Sequence, residues 1–272
     1  MSITKENILE TNSRQAEFYN SNSASKKNLP SKVWSFFRNH VLSDFRNNYR
    51  IKERVYRQHK SWLGNLSDKK VLDLGCLRGN HLSIYMATNS KQYIGIDLSS
   101  KGIDSLNEKI KEFNAINAVG LAVDFYSEDF EERDFDIIYA YGVLHHFPDM
   151  EQLISRLKEV LKPGGIIISY DPLETSLPIR FIRTMYRPFQ SDKDWEWPFS
   201  KQTINEIYES FVVLEANGIL GKSKYGLFLK YFGFSKSKRE KLINKWIEDD
   251  WTIKKAQDSF SCMQLSMVLK NE

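Results

Sequence analysis

The segment from Val71 to Gly79 constrains the fold of this chain more than any other. It begins as an apolar strand that carries Asp73 and then enters a turn with glycines at Gly75 and Gly79. A helical pattern begins near Asn80. This order of strand, glycine turn and helix brings backbone N–H groups and a helix N-terminus up to a nucleotide-like ligand. The segment therefore predicts an α/β fold with a ligand site after its first strand.

Strand and helix patterns alternate from this segment onward. Apolar runs predict strands at 70–75, 92–97, 118–123, 135–141 and 164–170, with helices between them at 79–88, 99–113 and 149–162. Such alternation requires right-handed crossover connections, which leave a parallel sheet covered on both faces. We therefore expect a doubly wound, mostly parallel sheet.

The region before the first strand predicts a helical cap at 1–63. We expect residues 1–30 to be loosely ordered, because they are polar and rich in Asn and Ser. From Lys32 onward, apolar residues recur at helical spacing. These residues are Trp34, Phe37, Val41 and Phe45, followed by Ile51, Val55 and Trp62.

The main domain, predicted at 64–272, changes character after the fifth strand. Residues 172–200 contain four prolines and two tryptophans. A segment of this length without regular structure is usually functional in a compact domain, so we interpret it as a substrate lid. Residues 222–258 predict a helical insertion. The alternating pattern at 262–269 predicts a final edge strand.

An apolar run at 226–234 lies within the predicted insertion. We assign it to the core, with a lipid-contacting patch as the alternative. The basic residues between Arg46 and Lys60 are interpreted as a solvated helix face. A membrane-surface or polyanion patch is the alternative there.

The composition favours a soluble, cytoplasmic protein. The chain has 272 residues, 41% of them hydrophobic, and a net charge of +4. Apolar runs fall short of the ~18 residues that a membrane span requires. The polar N-terminus differs from a secretion signal. Cys76 and Cys262 suit a reducing compartment and lack metal-ligand spacing, so no metal is expected.

Four segments in this order resemble the motifs of class I S-adenosylmethionine-dependent methyltransferases. They are Val71–Gly79, Tyr93-Ile-Gly-Ile-Asp97, Ala122-Val-Asp-Phe125 and Phe135–Asp149. The resemblance covers about residues 70–170. It implies a Rossmann-like, doubly wound, mostly parallel seven-stranded sheet with an N-terminal helical cap and helical insertions. It also implies S-adenosyl-L-methionine as the cofactor.

The same resemblance implies a set of cofactor-binding residues. They are Asp73, Gly75, Cys76, Leu77, Gly79, Asp97, Leu98, Asp124, Phe125 and Tyr141. Asp73 would orient the methionine tail, Asp97 would accept hydrogen bonds from both ribose hydroxyls, and Asp124 would pair with the adenine amino group. Two simpler interpretations stay open. Asp97 would merely cap the following helix, and Asp124 would be an ordinary turn residue.

Leu77 departs from the family pattern, since many members have a third glycine at this position. We expect a shifted loop rather than a lost site. The departure argues against a nicotinamide dinucleotide fold, whose G-x-G-x-x-G motif requires glycine at Leu77 and Asn80. The departure also leaves open the hypothesis that this chain binds the cofactor without catalysing methyl transfer.

His145 and His146 are the candidate catalytic bases. They titrate near neutral pH and lie on the loop predicted over the site, with a structural hydrogen-bonding role as the alternative for either. Tyr141, Asp171 and Glu174 are lesser candidates. The predicted substrate-binding residues are Glu174, Arg183, Tyr186, Arg187, Trp195 and Trp197. The arginines, with Arg180, suit an anionic acceptor group, and the aromatic rings suit a sugar or else pack the lid onto the domain.

The absence of three known motifs narrows the range of possible acceptors. Enzymes that methylate exocyclic amines of bases resemble one another in an acidic or amide residue followed by Pro-Pro-aromatic, whereas Tyr141–Leu144 stands here. Neither cysteine is placed for methylation of a pyrimidine carbon. The paired-glutamate loop of arginine methyltransferases is also lacking. We therefore predict a small-molecule or glycan acceptor and no nucleic-acid partner.

The predicted reaction is methyl transfer to an oxygen of a sugar, glycan or other secondary metabolite. Nitrogen and carbon acceptors stay open. A nucleic-acid methyltransferase that uses the basic residues at 46–60 is a further alternative. Peripheral membrane contact and the oligomeric state also stay open.

Overall fold

The computed structural model describes residues 5–21, 29–189 and 193–272. Its centre is one seven-stranded sheet. The strands are β1 Lys70–Leu74, β2 Gln92–Asp97, β3 Ala118–Ala122, β4 Phe135–Tyr141, β5 Leu161–Pro172, β6 Val212–Ile219 and β7 Gln264–Lys270. Their order is β3-β2-β1-β4-β5-β7-β6, and only the pairs that involve β7 are antiparallel. The predicted mostly parallel, seven-stranded α/β sheet is confirmed.

Helices cover both faces of this sheet. They are α1 Lys5–Asn20, α2 Leu29–Phe36, α3 Ser43–Asn48, α4 Ile51–Leu63, α5 His81–Asn89, α6 Ser100–Glu112, α7 Met150–Val160, α8 Leu177–Tyr186, α9 Lys201–Ser210 and α10 Lys236–Trp251. A π-helical segment occupies Phe37–Leu42, and 3-10 segments occupy Leu144–His146, Arg187–Phe189, Lys222–Tyr231 and Ala256–Ser261. Within the described ranges, no helix is both long and apolar enough to cross a bilayer.

Two apolar cores lie on opposite faces of the sheet. Leu72 of β1 belongs to the same core as Leu153 of α7, whereas its neighbour Val71 belongs to the core that contains Leu106 of α6. Both strand residues are completely buried. Successive strand residues point to opposite faces, so a parallel strand covered on both sides is apolar throughout. This explains why β1 reads as an apolar run.

The helices after β1 and β2 begin where the sequence offers caps. The side chain of Asn80 accepts hydrogen bonds from the backbone N–H groups of Leu82 and Ser83, and the Ser83 hydroxyl accepts one from the N–H of Asn80. Ser99 accepts one from the N–H of Gly102. These caps fix where α5 and α6 begin, directly after the strand ends.

The prediction of a final edge strand is wrong. β7 lies between β5 and β6 and pairs with both. Its polar residue Ser266 is 1% exposed, and its hydroxyl is satisfied there because it donates to the carbonyl of Ser169 and contacts Nε2 of His59 at 2.7 Å. The alternation of polar and apolar residues therefore reflects a buried hydrogen-bond network rather than a solvent-facing side.

The expectation that residues 1–30 are loosely ordered is also wrong where the structure describes them. Residues 5–20 form α1, and Ile8, Asn12 and Gln15 are buried on one face of that helix. Asn12 and Gln15 face a cavity rather than an apolar core. Beyond Ile8 the buried face is therefore polar, and apolar periodicity does not reveal it.

The assignment of 226–234 to the core is wrong for most of its side chains. Ser223, Gly226 and Leu229 are buried at intervals of three, which is the repeat of a 3-10 helix. Phe228 is 52% exposed and Phe232 is 70% exposed. A 3-10 helix has one narrow inward face, so the other apolar residues of the run point outward.

The remaining N-terminal helices pack on the C-terminal part of the chain. Phe45 of α3 and Val55 of α4 share a core with Ile243 of α10. The side chains of Trp34 and Phe37 lie outside the described part of the structure. The division into a cap at 1–63 and a domain at 64–272 stays a prediction.

Candidate active site

A cavity of about 340 Å³ lies at the carboxyl ends of β1, β2 and β4. This is the edge where open α/β sheets bind ligands, and the volume lies within the range of small-molecule sites. The lining residues are Asn12, Gln15, Tyr19, Leu74, Gly75, Cys76, Leu77, Arg78, Gly79, Asn80, Ile96, Asp97, Leu98, Val123, Asp124, Phe125, Tyr141, Gly142, Val143, His146 and Phe147. Nine of the ten residues predicted to bind the cofactor line this cavity, and Asp73 does not.

The glycine turn forms the floor of the cavity. Gly75 and Gly79 have φ values of 67° and 71°, in the left-handed region that favours glycine. A Cβ on Gly75 would collide with the side chain of Val143. The N–H groups of Gly75 and Cys76 donate to the carbonyl of Ile96 at 2.9 and 3.1 Å. The turn is thus held against β2.

Leu77 takes the conformation that a glycine would take. Its φ is 48°, and its N–H donates to Oδ2 of Asp97 at 2.9 Å. A Cβ on Gly102 would lie 2.9 Å from Cδ1 of Leu77. The small residue in α6 therefore makes room for the large one in the turn. The expected loop shift stays a prediction.

Asp97 ends β2 with its carboxylate held by backbone groups. Oδ1 accepts from the N–H of Ser99 at 2.8 Å, and Oδ2 accepts from Leu77. The N-cap of α6 is Ser99, not Asp97. Burial raises the pKa of Asp97, while hydrogen bonds from the N–H groups of Ser99, Leu77 and Leu98 oppose that shift. A carboxylate accepts about four hydrogen bonds, so Asp97 keeps acceptor capacity for a ligand hydroxyl.

Asp124 joins the cavity to the N-terminal helix. Its Oδ1 accepts from the N–H of Tyr126 at 2.8 Å, as in an ordinary turn. Its Oδ2 accepts from Nδ2 of Asn12, also at 2.8 Å. The neighbouring Phe125 is 3% exposed and lines the same wall. The turn hydrogen bond uses only Oδ1, and Oδ2 keeps a second lone pair for a ligand donor beside Asn12.

Asp73 lies behind the cavity wall. It is 1% exposed and accepts a hydrogen bond of 2.8 Å from the hydroxyl of Tyr93. Burial raises its pKa to about 7, against hydrogen bonds from Ser83 and Tyr93. Its predicted contact with the methionine tail stays a prediction.

Tyr141 brings an aromatic surface to the cavity. Its ring stacks on Tyr170 with centroids 4.7 Å apart, and on Tyr56 with centroids 5.4 Å apart. Burial raises the pKa of the Tyr141 hydroxyl far above its usual range, so the side chain is a neutral phenol. The stack fixes the ring at the end of β4.

His145 and His146 occupy different environments. His145 is 7% exposed, and its Nδ1 lies 2.8 Å from Oδ1 of the fully buried Asp171. His146 lines the cavity, and its Nδ1 lies 2.6 Å from the carbonyl oxygen of Trp195. A carbonyl only accepts, so Nδ1 of His146 carries the proton. In the neutral ring, Nε2 of His146 is therefore the basic nitrogen.

Backbone hydrogen bonds connect the lid to the segment that carries His145 and His146. The N–H of Trp197 donates to the carbonyl of His145 at 2.7 Å, next to the bond between His146 and Trp195. The N–H of Glu174 donates to the carbonyl of Phe199 at 3.0 Å. Both ends of the lid segment thus lie at the carboxyl edge of β4 and β5.

A second cavity of about 250 Å³ lies within the lid. It is lined by Glu174, Arg180, Arg183, Thr184, Arg187, Lys193, Glu196 and Pro198. The structure thus brings together three of the predicted substrate-binding residues, Glu174, Arg183 and Arg187. The side chain of Tyr186 lies outside the described part of the structure.

The two tryptophans do not line either cavity. Trp195 packs on Phe18 of α1 with ring centroids 5.1 Å apart. This contact supports the interpretation in which the aromatic residue packs the lid.

Sequence reasoning missed the residues of α1 that line the first cavity. Asn12, Gln15 and Tyr19 recur at intervals of three and four, so they share one helix face. That spacing was the available signal, but a polar face carries no apolar period. Among the described residues, no cluster of His, Cys, Asp or Glu could hold a metal ion.

A family model described as a methyltransferase domain matches residues 45–211. The chain is 33% identical over 108 residues to a tRNA U34 carboxymethyltransferase of Nautilia profundicola, covering 38% of this chain and 34% of that protein. It is 33% identical over 108 residues to a ubiquinone biosynthesis O-methyltransferase of Bordetella pertussis, covering 38% of this chain and 42% of that protein. The chain thus spans less than half the length of these two relatives.

Two solved structures resemble the whole chain. The geranyl diphosphate C-methyltransferase of Streptomyces coelicolor has a TM-score of 0.59 at 14% identity, covering 96% of this chain and 98% of that one. The N-methyltransferase NodS of Bradyrhizobium japonicum has a TM-score of 0.53 at 15% identity, with the same coverage of 96% and 98%. At these identities the likeness shows the fold.

Proposed function

The chain belongs to the methyltransferase-domain family of class I S-adenosylmethionine-dependent enzymes, and from this premise we propose that it transfers the sulfonium methyl group to an oxygen of a small molecule. The observation that carries the proposal is the placement of His146. It lines the cavity, and the carbonyl of Trp195 leaves Nε2 as its basic nitrogen. A base within reach of an acceptor hydroxyl assists transfer to oxygen by removing the proton.

The residues of the first cavity fit S-adenosylmethionine. Its carboxylates at Asp97 and Asp124 suit ribose hydroxyls and an adenine amino group, and Phe125 and Phe147 offer flat apolar walls. The glycine turn at Gly75 lets the backbone approach a ligand closely. The bound cofactor supplies an electrophilic methyl group. The residues of this chain bind it, orient the acceptor and accept a proton.

The acceptor is proposed to carry an anionic group. The lid cavity gathers the guanidinium groups of Arg180, Arg183 and Arg187 with Lys193, and only Glu174 and Glu196 oppose them among its described lining residues. Arginine binds carboxylate and phosphate through paired N–H donors. A sugar, glycan or secondary metabolite with such a group therefore fits. The relatives and structural neighbours include O-, N- and C-methyltransferases.

The nucleic-acid alternative is disfavoured by how the basic residues of α4 are used. Arg54 makes two hydrogen bonds of 2.6 and 2.7 Å to Glu248 and stacks on Trp251. Lys60 lies over the ring of Tyr85 at 4.2 Å. Arg54 and Lys60 thus make contacts within the protein, which leaves fewer cations of this stretch for binding a polyanion. The expected cytoplasmic location stays a prediction.

The test uses S-adenosylmethionine labelled on its methyl group, incubated with the protein and a cell extract of its source. The products are separated into small polar molecules, lipids and glycans, protein, and nucleic acid. Label in small molecules or glycans supports the proposal, and label in nucleic acid contradicts it. Cofactor binding without transfer to any fraction would favour a non-catalytic binding module.

A further inference from the structure

Five aromatic side chains project from the 3-10 segment Lys222–Tyr231 and the turn that follows it. They are Tyr225, Phe228, Tyr231, Phe232 and Phe234, which are 44, 52, 72, 70 and 42% exposed. We call these five residues the aromatic surface. Isolated exposed apolar residues are normal, but a contiguous apolar patch marks an interaction site.

Packing on the other side of the segment fixes this orientation. Leu229 is 8% exposed and belongs to the core that contains Phe45 and Ile243. A Cβ on Gly226 would lie 2.6 Å from the side chain of Ile243, so the backbone is pressed against α10. The segment cannot rotate to bury the aromatic surface without exposing Leu229 and losing this contact.

Basic residues surround the aromatic surface. Residues 222–241 contain seven lysines and arginines, of which only Lys224 is buried, and one acidic residue, Glu240. Lys230, Lys236 and Lys238 are exposed, and Lys230 lies 4.9 Å from the ring centroid of Tyr231. Asp44 of α3 is the other carboxylate near this region among the described residues that line the adjoining groove. The net charge of the surface is strongly positive.

We propose that the aromatic surface and its lysines dock the protein on an anionic lipid membrane. Aromatic rings favour the headgroup level of a bilayer, and exposed lysines are attracted to anionic lipids. The charge also decides against a second copy of this chain as the occupant, because two such basic faces would repel each other. Docking on lipid is independent of the methyl-transfer proposal.

The test is co-sedimentation of the full chain with vesicles of phosphatidylcholine alone or of phosphatidylcholine with phosphatidylglycerol. We expect binding to the anionic vesicles that weakens as salt is added. The triple variant Phe228→Ser/Tyr231→Ser/Phe232→Ser should bind at least about tenfold more weakly, because it removes most of the apolar insertion. The double variant Lys236→Gln/Lys238→Gln should lose about fivefold per charge.

A matched control removes exposed apolar residues at the opposite edge of the sheet, beside β3. Phe113 and Ile116 are 57 and 91% exposed there, and Phe113→Ser/Ile116→Ser should leave vesicle binding unchanged. S-adenosylmethionine affinity serves as the check that every variant is folded. Three results would overturn the proposal. They are equal binding to neutral vesicles, full binding by the triple variant, and a vesicle-free dimer that the triple variant abolishes.

Discussion

Nδ2 of Asn12 donates a hydrogen bond of 2.8 Å to Oδ2 of Asp124, across 112 positions of sequence. The contact closes α1 over the cavity at the end of β3. A second contact closes the other end of the helix, where Oδ1 of Asn20 accepts from the hydroxyl of Ser99 at 2.9 Å. A ligand that enters the cavity from this side must displace α1, and we therefore expect the helix to control the exchange of the cofactor.

Asn12→Ala should accelerate cofactor release. The variant removes a hydrogen bond to a carboxylate, a contact of about 1.5–3 kcal/mol that favours the closed helix. We expect the dissociation rate constant of S-adenosylmethionine to rise roughly tenfold or more, measured by stopped-flow fluorescence. Arg14→Ala is the control, since Arg14 is exposed on the outer side of the same helix. Equal rates in the two variants would mean that α1 does not gate the site.

Asp97→Ala should weaken S-adenosylmethionine binding by about 1.5–3 kcal/mol, because it removes charge-assisted hydrogen bonds. The loss has two sources, the proposed ribose contact and the bond that holds the N–H of Leu77. Isothermal titration calorimetry measures the affinity. Asp104→Ala, on the exposed side of α6, is the matched control. Unchanged affinity in Asp97→Ala would remove the ribose assignment.

The strands and helices of the nucleotide-binding half were predictable because their signals are local. β2 and β4 begin and end at the predicted residues, and Asn80 and Ser99 start helices near the predicted positions. Strand order is not local. The alternation of polar and apolar residues in β7 does not show that this strand inserts between β5 and β6. Its pattern also suggests that Ser266 faces solvent, and only the tertiary structure shows the buried contact with His59.

The candidate site was likewise predictable only where its signals are local in sequence. The residues of the glycine turn and of the strand ends follow from motifs, and they do line one cavity. The contribution of α1 was missed, because Asn12 and Gln15 are polar and make α1 resemble a solvated helix in sequence, although both are buried. The two histidines were predicted as a pair, but only their partners, Asp171 and the carbonyl of Trp195, distinguish them.

Leu77 and Gly102 should behave as a coupled pair. Gly102→Ala places a methyl group 2.9 Å from Cδ1 of Leu77, so the turn must move. We expect a loss of S-adenosylmethionine affinity of about 1–3 kcal/mol, typical of overpacking. Leu77→Gly in the same chain should recover part of it. A double-mutant cycle measures the coupling, and additive effects would show that the two side chains do not conflict.

Substitutions of His145 and His146 should have different effects, one on stability and the other on the rate of the chemical step. His146→Ala should slow the chemical step about 10²–10⁴-fold without changing cofactor affinity, if His146 is the base. His145→Ala should instead lower the free energy of unfolding by about 3 kcal/mol or more, because it strips the buried Asp171 of its ring partner. Single-turnover assays and urea denaturation distinguish the two effects. Full activity in His146→Ala would mean that positioning alone supports transfer.

His59 provides a pH-dependent contribution to folding that is separate from the site chemistry. It is completely buried between the hydroxyls of Tyr139 and Ser266, at 3.2 and 2.7 Å. Burial lowers its pKa from 6.5 to about 3. The folded protein therefore keeps the ring neutral while the unfolded chain takes up a proton below pH 6.5. Stability from this group is complete above that pH and falls as the pH drops toward the folded value.

His59→Gln should remove this pH dependence while keeping a polar side chain near Ser266. The difference in free energy of unfolding between the native chain and the variant should shrink by about 1.4 kcal/mol per pH unit below pH 6.5, because the unfolded native chain binds one more proton. Urea denaturation between pH 7 and pH 5 without cofactor measures it.

Asp73, whose raised pKa acts in the opposite direction, is present in both proteins and therefore drops out of the difference. The exposed His40 is the control, since His40→Gln should leave the difference constant with pH. A difference for His59→Gln that is equally constant would show that the buried ring takes up its proton without unfolding.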